Sequence, residues 1–237
     1  MIFHGDGIEM LTSIEDGAVQ LLWTDPPFGT NKRQRVASSG TYYEDVDVSG
    51  VVTLIECLGR EAKRVLSSDG VLAVCLDYRA IHPACVALMR DLKPLGEVIW
   101  TFGLGRGSTN WWTNKHNTVA LFSRYGVHPR FHYERVPTTV RKAPKAGYAY
   151  DKKVASVWDY TLSNTDPERV GYPNQKPEAI IEPFVLVHTD EDDLVVDPFG
   201  GSGSTAAVAK RLKRRYAIAD INPVAITTMR KRLNTVD

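Results

Sequence analysis

The 237-residue sequence has few cysteines, no long hydrophobic run and almost no net charge. Its cysteines, Cys57, Cys75 and Cys85, show no C-x-x-C spacing, so we expect a reduced protein without a disulfide framework. No apolar run approaches the roughly 18 residues that a membrane-spanning helix needs. The opening residues, MIFHGDGIEML, lack the basic head and apolar stretch of a signal peptide. We therefore expect a cytoplasmic protein that does not contact a membrane.

Basic and acidic residues nearly balance, at 29 against 28, which gives a net charge of +1. Nucleic-acid binding would therefore require basic residues segregated on one surface. The six histidines do not pair with cysteines or carboxylates at ligand spacing, so no metal site is predicted. The length and the hydrophobic content of 43% fit one compact domain with a modest insertion.

Short apolar runs alternate with stretches of helical periodicity. The predicted strands are 19–23, 71–76, 98–102, 118–122, 194–196 and 216–219. A helix between the first two strands has apolar residues at helical spacing, namely Val51, Ile55, Leu58, Ala62 and Val65. This alternation predicts an α/β domain with a mostly parallel central sheet, in which ligands collect at the carboxyl ends of the strands.

The first predicted strand leads into Asp25, Pro26, Pro27 and Phe28, where two prolines restrict the backbone. An aromatic amine is a poor nucleophile because its lone pair is delocalised. The Asp25 carboxylate and the Pro26 carbonyl could accept its hydrogens and turn the lone pair toward a methyl donor. Phe28 could stack on a base extruded from a duplex. A simple tight turn is the alternative, but the preceding strand and the following Phe28–Gly29 favour a pocket.

A second strand ends in Asp197, followed by Pro198, Phe199 and glycines at 200, 201 and 203. A glycine turn between a strand and a helix lets a ligand approach the backbone at the helix N-terminus. Asp220 ends the next strand, where an acid can accept hydrogen bonds from ribose hydroxyls. No lysine follows the glycines before Lys210, which disfavours a P-loop NTPase. The dinucleotide-binding fingerprint is matched only loosely, so an NAD site stays a minor alternative.

Together these motifs resemble the two signatures of the amino-methylating DNA methyltransferases, D-P-P-[FY] and D-P-F-x-G-S-G-[ST]-T. The D-P-P-F loop precedes the glycine loop, as in the circularly permuted β group of that family. Residues 172–178, YPNQKPE, are similar to its H-P-x-Q-K-P segment, and FHGD at 3–6 is a further match. The resemblance implies a permuted, Rossmann-like α/β methyltransferase fold dependent on S-adenosylmethionine. Its two halves, 1–123 and 158–237, would flank a target-recognition insertion at 124–157.

The same resemblance implies roles for individual residues. The catalytic set is Asp25, Pro26, Pro27 and Phe28. The residues expected around S-adenosylmethionine are Asp6 near the adenine amino group, Lys176 near the methionine carboxylate, Asp220 at the ribose, and Asp197, Pro198, Phe199, Gly201 and Ser202. Independently, a carboxylate-lined site with one lysine suits a cofactor that carries a carboxylate, an ammonium and a sulfonium. Taken alone, Lys176 could equally be a solvated surface charge.

The stretch 124–153 has eight basic residues against two acidic ones, with aromatic residues interleaved. Such a composition suits contacts with phosphates and bases, although a solvated loop is the alternative interpretation. The candidate DNA-binding residues are Arg130, Arg135, Arg141, Lys142 and Lys145 here, with Lys32, Arg33 and Arg35 beside the D-P-P-F loop. Trp111 and Trp112 lie in a polar stretch, 103–117, that could close over the site. We expect each tryptophan to pack in the core or anchor its loop.

Methylation at cytosine C5 needs a cysteine nucleophile, and no cysteine lies near either loop. Cytosine N4 stays open, because its amine presents the same chemical problem as adenine N6. Asp25 favours adenine, since N4 members of the family more often carry serine there. A noncatalytic DNA-binding module or a dinucleotide oxidoreductase would leave the D-P-P-F loop unexplained. Double-stranded DNA is the expected partner. The resemblance also suggests two further partners, a second copy of the chain in a homodimer and a cognate restriction enzyme.

Overall fold

The computed structural model describes residues 1–31, 33–35, 42–103, 109–143, 148–163 and 165–234, with the backbone alone at 33–35, 42–44, 139–143 and 148–152. The strands are β1 (Ile2–His4), β2 (Val19–Thr24), β3 (Arg33–Arg35), β4 (Tyr42–Glu44), β5 (Leu66–Leu76), β6 (Lys93–Thr101), β7 (His116–Ser123), β8 (Thr138–Ala143), β9 (Tyr148–Lys153), β10 (Val157–Asp159), β11 (Leu194–Asp197) and β12 (Arg215–Asp220). The α-helices are α1 (Gly7–Thr12), α2 (Val48–Val65), α3 (Ile81–Leu88), α4 (Glu178–His188), α5 (Ser204–Arg211) and α6 (Pro223–Asn234). No helix within these ranges is long and apolar enough to cross a membrane.

One eight-stranded sheet, in the order β1-β12-β11-β2-β5-β7-β6-β10, organises the molecule. Every neighbouring pair is parallel except the two that involve β7, which runs antiparallel to both β5 and β6. The mostly parallel α/β fold predicted from the sequence is therefore confirmed. Strands β11 and β2, which precede the glycine loop and the D-P-P-F loop, are neighbours in this sheet. Segments from opposite ends of the chain thus become neighbours.

The six predicted strands are present as β2, β5, β6, β7, β11 and β12. The predicted helix is α2, and its five apolar residues are all fully buried against one face of the sheet. The sequence did not predict β1 or β10, because three residues are too few to show a period. It also missed the β8–β9 hairpin inside the insertion.

The opposite face of the sheet carries the residues that lead to both loops. Leu21, Trp23 and Val195 are buried there in one apolar cluster with residues of α4 and α5. The Trp23 ring packs on Phe184 of α4, with 5.1 Å between ring centroids. Side chains alternate between the two faces of a strand, so Asp25, two residues beyond Trp23, projects to this same side.

Candidate active site

Three acidic residues lie at the carboxyl ends of neighbouring parallel strands. Asp197 ends β11, Asp220 ends β12, and Asp25 directly follows β2. The pairing of Val196 with Leu22 and of Asp197 with Ile218 places Asp25 and Asp220 two residues beyond the level of Asp197. Because residues two apart share a face, the three carboxyl groups converge on one side of the sheet.

These acids line a cavity of about 210 Å³ between the two loops. Its lining includes the predicted residues Asp25, Pro26, Pro27, Phe28, Lys176, Asp197, Phe199, Gly201, Ser202 and Asp220. Two stretches far apart in the sequence thus form one pocket. Four carboxyl groups, counting Asp45, face one lysine in this lining. The pocket therefore favours a cationic ligand that can also offer hydrogen-bond donors.

Asp25 has two oxygens in different surroundings. The Lys176 ammonium donates a hydrogen bond to Oδ2 and lies 4.6 Å from the centroid of the Phe28 ring. Oδ1 is buried, and within the described ranges no group donates a hydrogen bond to it. A buried acceptor without a donor is costly, by about 1–3 kcal/mol. Lys176 therefore fixes one oxygen of Asp25, while the other has no donor among the described residues.

Burial raises the pKa of the Asp25 carboxyl above its ordinary value, against the opposing effect of the Lys176 ammonium. Loss of hydration destabilises the ionised carboxylate, and this effect exceeds the gain from the ion pair. A carboxylate with a raised pKa is a stronger hydrogen-bond acceptor and a better base. This property suits a group that must bind an amine and take up a proton from it.

A carboxylate that the sequence analysis did not single out holds the D-P-P-F loop in place. Asp45 is buried and accepts hydrogen bonds from the backbone of Gly29, at 3.3 Å, and of Thr30, at 2.9 Å. Thr30 also donates its hydroxyl to Asp45. Gly29 has a φ of 72°, a conformation that favours glycine. Asp45 lies in a polar stretch without periodicity, and no sequence pattern marked it.

Asp197, at the start of the glycine loop, is more deeply buried than Asp25 and Asp220. Its Oδ1 accepts a hydrogen bond from the Phe199 amide at 3.0 Å, and its Oδ2 accepts one from the Thr205 hydroxyl at 2.6 Å. Burial and the nearby carboxylates of Asp25 and Asp220 raise the pKa of Asp197 to about 7. Those two neighbours make the ionised form costly, so a cationic group in the cavity would stabilise it.

Asp220 fixes the backbone of the glycine loop. Its two oxygens accept hydrogen bonds from the Gly201 amide, at 3.0 Å, and from the Asn222 amide, at 2.8 Å. Gly201 and Gly203 have φ values of 49° and 79°, which disfavour residues with a Cβ atom. The turn therefore requires glycine at these positions. Burial raises the pKa of Asp220, and each oxygen keeps a lone pair for a hydroxyl donor.

A buried polar network behind the glycine loop includes a residue that sequence reasoning missed. Arg232 of α6 is 5% exposed and donates to the Ser202 carbonyl, at 3.3 Å, and to the Ser204 hydroxyl, at 3.1 Å. It also pairs with Glu178 at 2.6 Å. Ser204 in turn donates to the carbonyl oxygen of Lys176 at 2.7 Å. Breaking a buried pair of this kind costs about 3–5 kcal/mol, so Arg232 couples the glycine loop to the Lys176 segment.

Two predicted cofactor-binding residues lie outside the cavity lining. Asp6 is exposed, and its carboxylate caps α1 by accepting from the amides of Ile8, at 2.7 Å, and Glu9, at 3.1 Å. Pro198 packs against the start of α1, where a Cβ atom on Gly7 would lie 2.0 Å from the Pro198 carbonyl oxygen. Asp6 therefore stabilises the start of α1, and Pro198 packs α1 against the base of the glycine loop.

Arg130 and Arg135, predicted from the sequence to bind DNA, pair with acidic residues of the same chain. Arg130 pairs with Asp69, Asp190 and Asp193 at 2.6–3.0 Å. Arg135 pairs with Asp190 at 2.8 Å and donates to the Thr189 carbonyl at 2.9 Å. These acidic partners lie near the amino-terminal ends of β5 and β11, whereas the cavity lies at the carboxyl ends of the strands. The two arginines attach the insertion to the body of the domain, since acids already satisfy their charge.

The other predicted DNA-binding side chains cannot be compared with the fold. The structure describes only the backbone of Arg33, Arg35, Arg141 and Lys142, and Lys32 and Lys145 lie outside the described residues. The backbone places 138–143 and 148–153 in the antiparallel β8–β9 hairpin. At the base of this hairpin, Lys153 donates to the carbonyl oxygens of Glu134, at 2.8 Å, and Val136, at 2.9 Å.

Comparison with known proteins supports the assignment suggested by this geometry. A sequence profile of the N6/N4 DNA methylase family matches residues 19–231. The type II methyltransferase M.HpaI of Haemophilus parainfluenzae is 25% identical over 97% of this chain and 73% of its own length. The type II methyltransferase M2.LlaDCHI of Lactococcus lactis subsp. cremoris is 28% identical over 99% of this chain and 89% of its own length.

Among solved structures, the cytosine-N4-specific PvuII DNA methyltransferase has a similar fold. Its TM-score is 0.75, with 19% identity over 98% of this chain and 85% of that one. This likeness confirms the methyltransferase fold that the two loops implied. The profile match spans both loops, the cavity and the insertion between them. The chain belongs to the N6/N4 DNA methylase family.

Proposed function

We propose that this chain methylates N6 of an adenine that is flipped out of duplex DNA, with S-adenosylmethionine as methyl donor. One observation carries the proposal: Asp25 lines the pocket, and its buried Oδ1 accepts no hydrogen bond from the described residues. Both loops of an amino-methylating enzyme line that same cavity. A reaction that needs an acceptor for an N–H group is the function that this geometry fits best.

The residues of the second loop fit S-adenosylmethionine, which supplies a methyl group activated by its sulfonium when bound. The cofactor carries a carboxylate, an ammonium and a sulfonium, and hence a net charge of +1. The cavity has an excess of carboxylates, and Lys176 is its lysine. Asp197 would neutralise the ammonium, and Asp220 would accept hydrogen bonds from the ribose hydroxyls. The left-handed Gly201 and Gly203 leave the backbone without Cβ atoms on the cofactor side.

In the first loop, this chain's own groups would prepare the nucleophile. Asp25 Oδ1 and the Pro26 carbonyl would accept the two hydrogens of the adenine amine and aim its lone pair into the cavity. Asp25, with its raised pKa, would take the proton that leaves the nitrogen as the new N–C bond forms. Phe28 would offer its ring to the extruded base. Asp45 would keep this loop in the required geometry.

Asp25 also favours adenine as the target. A carboxylate is a stronger acceptor than a hydroxyl, and the N4-cytosine members of the family more often carry serine at this position. Cytosine N4 presents the same exocyclic amine and is the second candidate. The two bases differ in size and in their remaining hydrogen-bonding edge. Direct identification of the modified base therefore decides between them.

The test is expression of the chain in a host without DNA methylation, followed by mass spectrometry of the nucleosides in its DNA. We expect N6-methyldeoxyadenosine in the host with the wild-type chain, and much less of it in a host that expresses the Asp25→Asn variant to the same level. N4-methyldeoxycytidine alone would overturn the choice of adenine. Label transferred from S-adenosylmethionine to RNA or protein but not to duplex DNA would overturn the DNA substrate.

We also predict that Asp220→Ala weakens binding of S-adenosylmethionine by about 10- to 100-fold, through loss of the ribose acceptor and of the Gly201 contact. Isothermal titration calorimetry measures this change. Asp220→Asn keeps one acceptor oxygen and should bind more tightly than the alanine variant. Asp159→Ala, which removes an exposed acid at the end of β10, is the matched control and should bind as the wild type does. Unchanged affinity in Asp220→Ala would refute the ribose assignment.

A further inference from the structure

Two adjacent tryptophans lie exposed in the loop between β6 and β7. Trp111 is 80% exposed and Trp112 is 87% exposed. Of the two roles expected for them, packing in the core and anchoring of the loop, core packing is therefore wrong. The other three tryptophans, Trp23, Trp100 and Trp158, are buried or half-buried in one apolar cluster. Full burial of a large apolar side chain contributes about 1.5–3 kcal/mol, so exposure of two neighbouring indoles points to a partner.

The topology places this loop at the same edge of the sheet as the cavity. β5 is parallel to β2, and β7 is antiparallel to both β5 and β6, so β6 runs in the same direction as β2. The loop after Thr101 therefore begins at the carboxyl end of β6, just as Asp25 lies at the carboxyl end of β2. In the sheet order β2-β5-β7-β6, three strand spacings separate the two ends. At about 4.8 Å per spacing, this is roughly 14 Å. Four nucleotides of a DNA strand span about that distance, at about 3.4 Å each.

The base of the loop is fixed to the segment that leads to the cavity. The Phe102 amide donates to the Lys115 carbonyl at 3.0 Å, and the Gly103 amide donates to the Thr161 hydroxyl at 2.8 Å. The Lys115 ammonium lies against the Gly103 carbonyl at 3.2 Å. Thr161 precedes the residues 172–176 that line the pocket. The tryptophans therefore project from an anchored loop whose position relative to the cavity is set by backbone and hydroxyl contacts.

The charge of this region suits a polyanion. The sequence contains no aspartate or glutamate from 98 to 133, a stretch that includes the whole loop. Lys115 lies at its base, and the polar residues beside the tryptophans are neutral ones, namely Thr109, Asn110, Thr113 and Asn114. By contrast, Arg130 and Arg135 pair with acids at the opposite ends of the strands. The described part of the loop thus combines two exposed aromatic side chains with neutral polar residues and one lysine, and it has no acidic residue.

We propose that Trp111 and Trp112 form a DNA-contacting surface that binds the duplex next to the extruded nucleotide. Extrusion of a base exposes the faces of its neighbours, and indole rings can stack on them in a sequence-tolerant way. Neutral polar neighbours and an acid-free loop permit close approach of the phosphates. This inference rests on the proposed function, because it assumes that DNA is the substrate. It assigns an aromatic contact with DNA to the β6–β7 loop, in addition to the contacts expected from the insertion.

The test compares the Trp111→Ala/Trp112→Ala double variant with the wild type, using a 30-base-pair duplex that the wild type methylates. Val86→Ala is the control, because Val86 is also 59% exposed but lies in α3, outside both the insertion and the pocket lining. Fluorescence anisotropy gives DNA affinity, and calorimetry gives the affinity for S-adenosylmethionine. We expect DNA affinity to fall about 5- to 100-fold for each tryptophan removed. S-adenosylmethionine affinity and melting temperature should match the wild type, and Val86→Ala should bind DNA normally.

A direct readout of contact is the accessibility of the indoles. Duplex DNA should protect the two exposed tryptophans of the wild type from quenching by acrylamide, and this protection should vanish in the double variant. The Trp111→Phe/Trp112→Phe variant keeps aromatic stacking and should recover most of the DNA affinity. This rescue separates a contact role from a change in folding.

Three results would overturn the inference while leaving the proposed function intact. One is wild-type DNA affinity in the double variant, with methylation retained. Another is loss of affinity without protection of the indoles in the wild type. The third is a wild-type dimer that dissociates in the double variant with DNA affinity unchanged, as seen by sedimentation, which would make the surface an interface between two copies. Failure of the wild type to methylate any DNA would instead remove the proposed function itself.

Discussion

The Asp25→Asn variant is expected to transfer methyl groups at least about 100-fold more slowly than the wild type, with S-adenosylmethionine still bound. An amide is a weaker acceptor than a carboxylate and cannot take up the proton of the amine. Loss of one preorganised electrostatic contact in a transition state costs roughly 100- to 1000-fold in kcat, and loss of proton transfer adds to this. Single-turnover kinetics with saturating DNA and cofactor measures the chemical step directly.

Asparagine is preferred to alanine at this position because it keeps an acceptor for the Lys176 ammonium. Removing the carboxylate from a buried pair entirely would leave an uncompensated charge, at a cost of about 3–5 kcal/mol. Calorimetry with S-adenosylmethionine and a thermal melt check that the pocket is intact. A variant that binds cofactor normally but reacts at the wild-type rate would contradict the assigned role of Asp25. Equal loss of binding and of catalysis would place Asp25 in the cofactor site instead.

Affinity for S-adenosylmethionine is expected to fall about tenfold for each pH unit below about 7. Asp197 must be ionised to neutralise the cofactor's ammonium, and its pKa in the free protein is about 7. Below that pH the protonated acid dominates, so binding must first release a proton. Between pH 7 and pH 5 the affinity should therefore decrease about 100-fold. Asp25 and Asp220 also have raised pKa values and should steepen the profile at its acidic end.

Calorimetry in buffers with different ionisation enthalpies measures the protons released when the cofactor binds. The wild type should release up to about one proton near pH 6 and almost none above pH 8. Asp197→Asn is the matched variant. It should bind S-adenosylmethionine more weakly than the wild type, and its affinity should change less between pH 5 and pH 7. A flat affinity profile in the wild type would contradict the pairing of Asp197 with the ammonium.

The same acid predicts an opposite effect on the stability of the free protein. Its pKa in the folded state is raised from 3.8 to about 7, so its stabilising contribution is complete below pH 3.8 and is lost as the pH rises through about 7. Ionising this buried group costs up to about 4 kcal/mol at alkaline pH. Asp197→Asn should therefore melt at a higher temperature than the wild type at pH 8 without cofactor.

The sequence determined the type of fold and the two loops. Strands β2 and β11 follow from short apolar runs and helix α2 from apolar residues at helical spacing, and neither signal needs knowledge of distant contacts. The order of the D-P-P-F loop and the glycine loop indicated the family before any distance was measured. Asp25 and Asp197 could be recognised because each directly follows a buried strand, where parallel sheets collect their functional groups.

Only the tertiary structure decided which charges meet. Arg130 and Arg135 look like DNA ligands in a basic stretch, but their partners Asp69 and Asp190 are some sixty residues away in the chain. Asp45 and Arg232 support the two loops from positions without any periodic signal. The exposure of Trp111 and Trp112 likewise depends on which strands flank their loop. Local patterns fix which segments become strands and helices. Ion pairing and burial depend on atoms that folding brings together from across the chain, and no short window of sequence contains both partners.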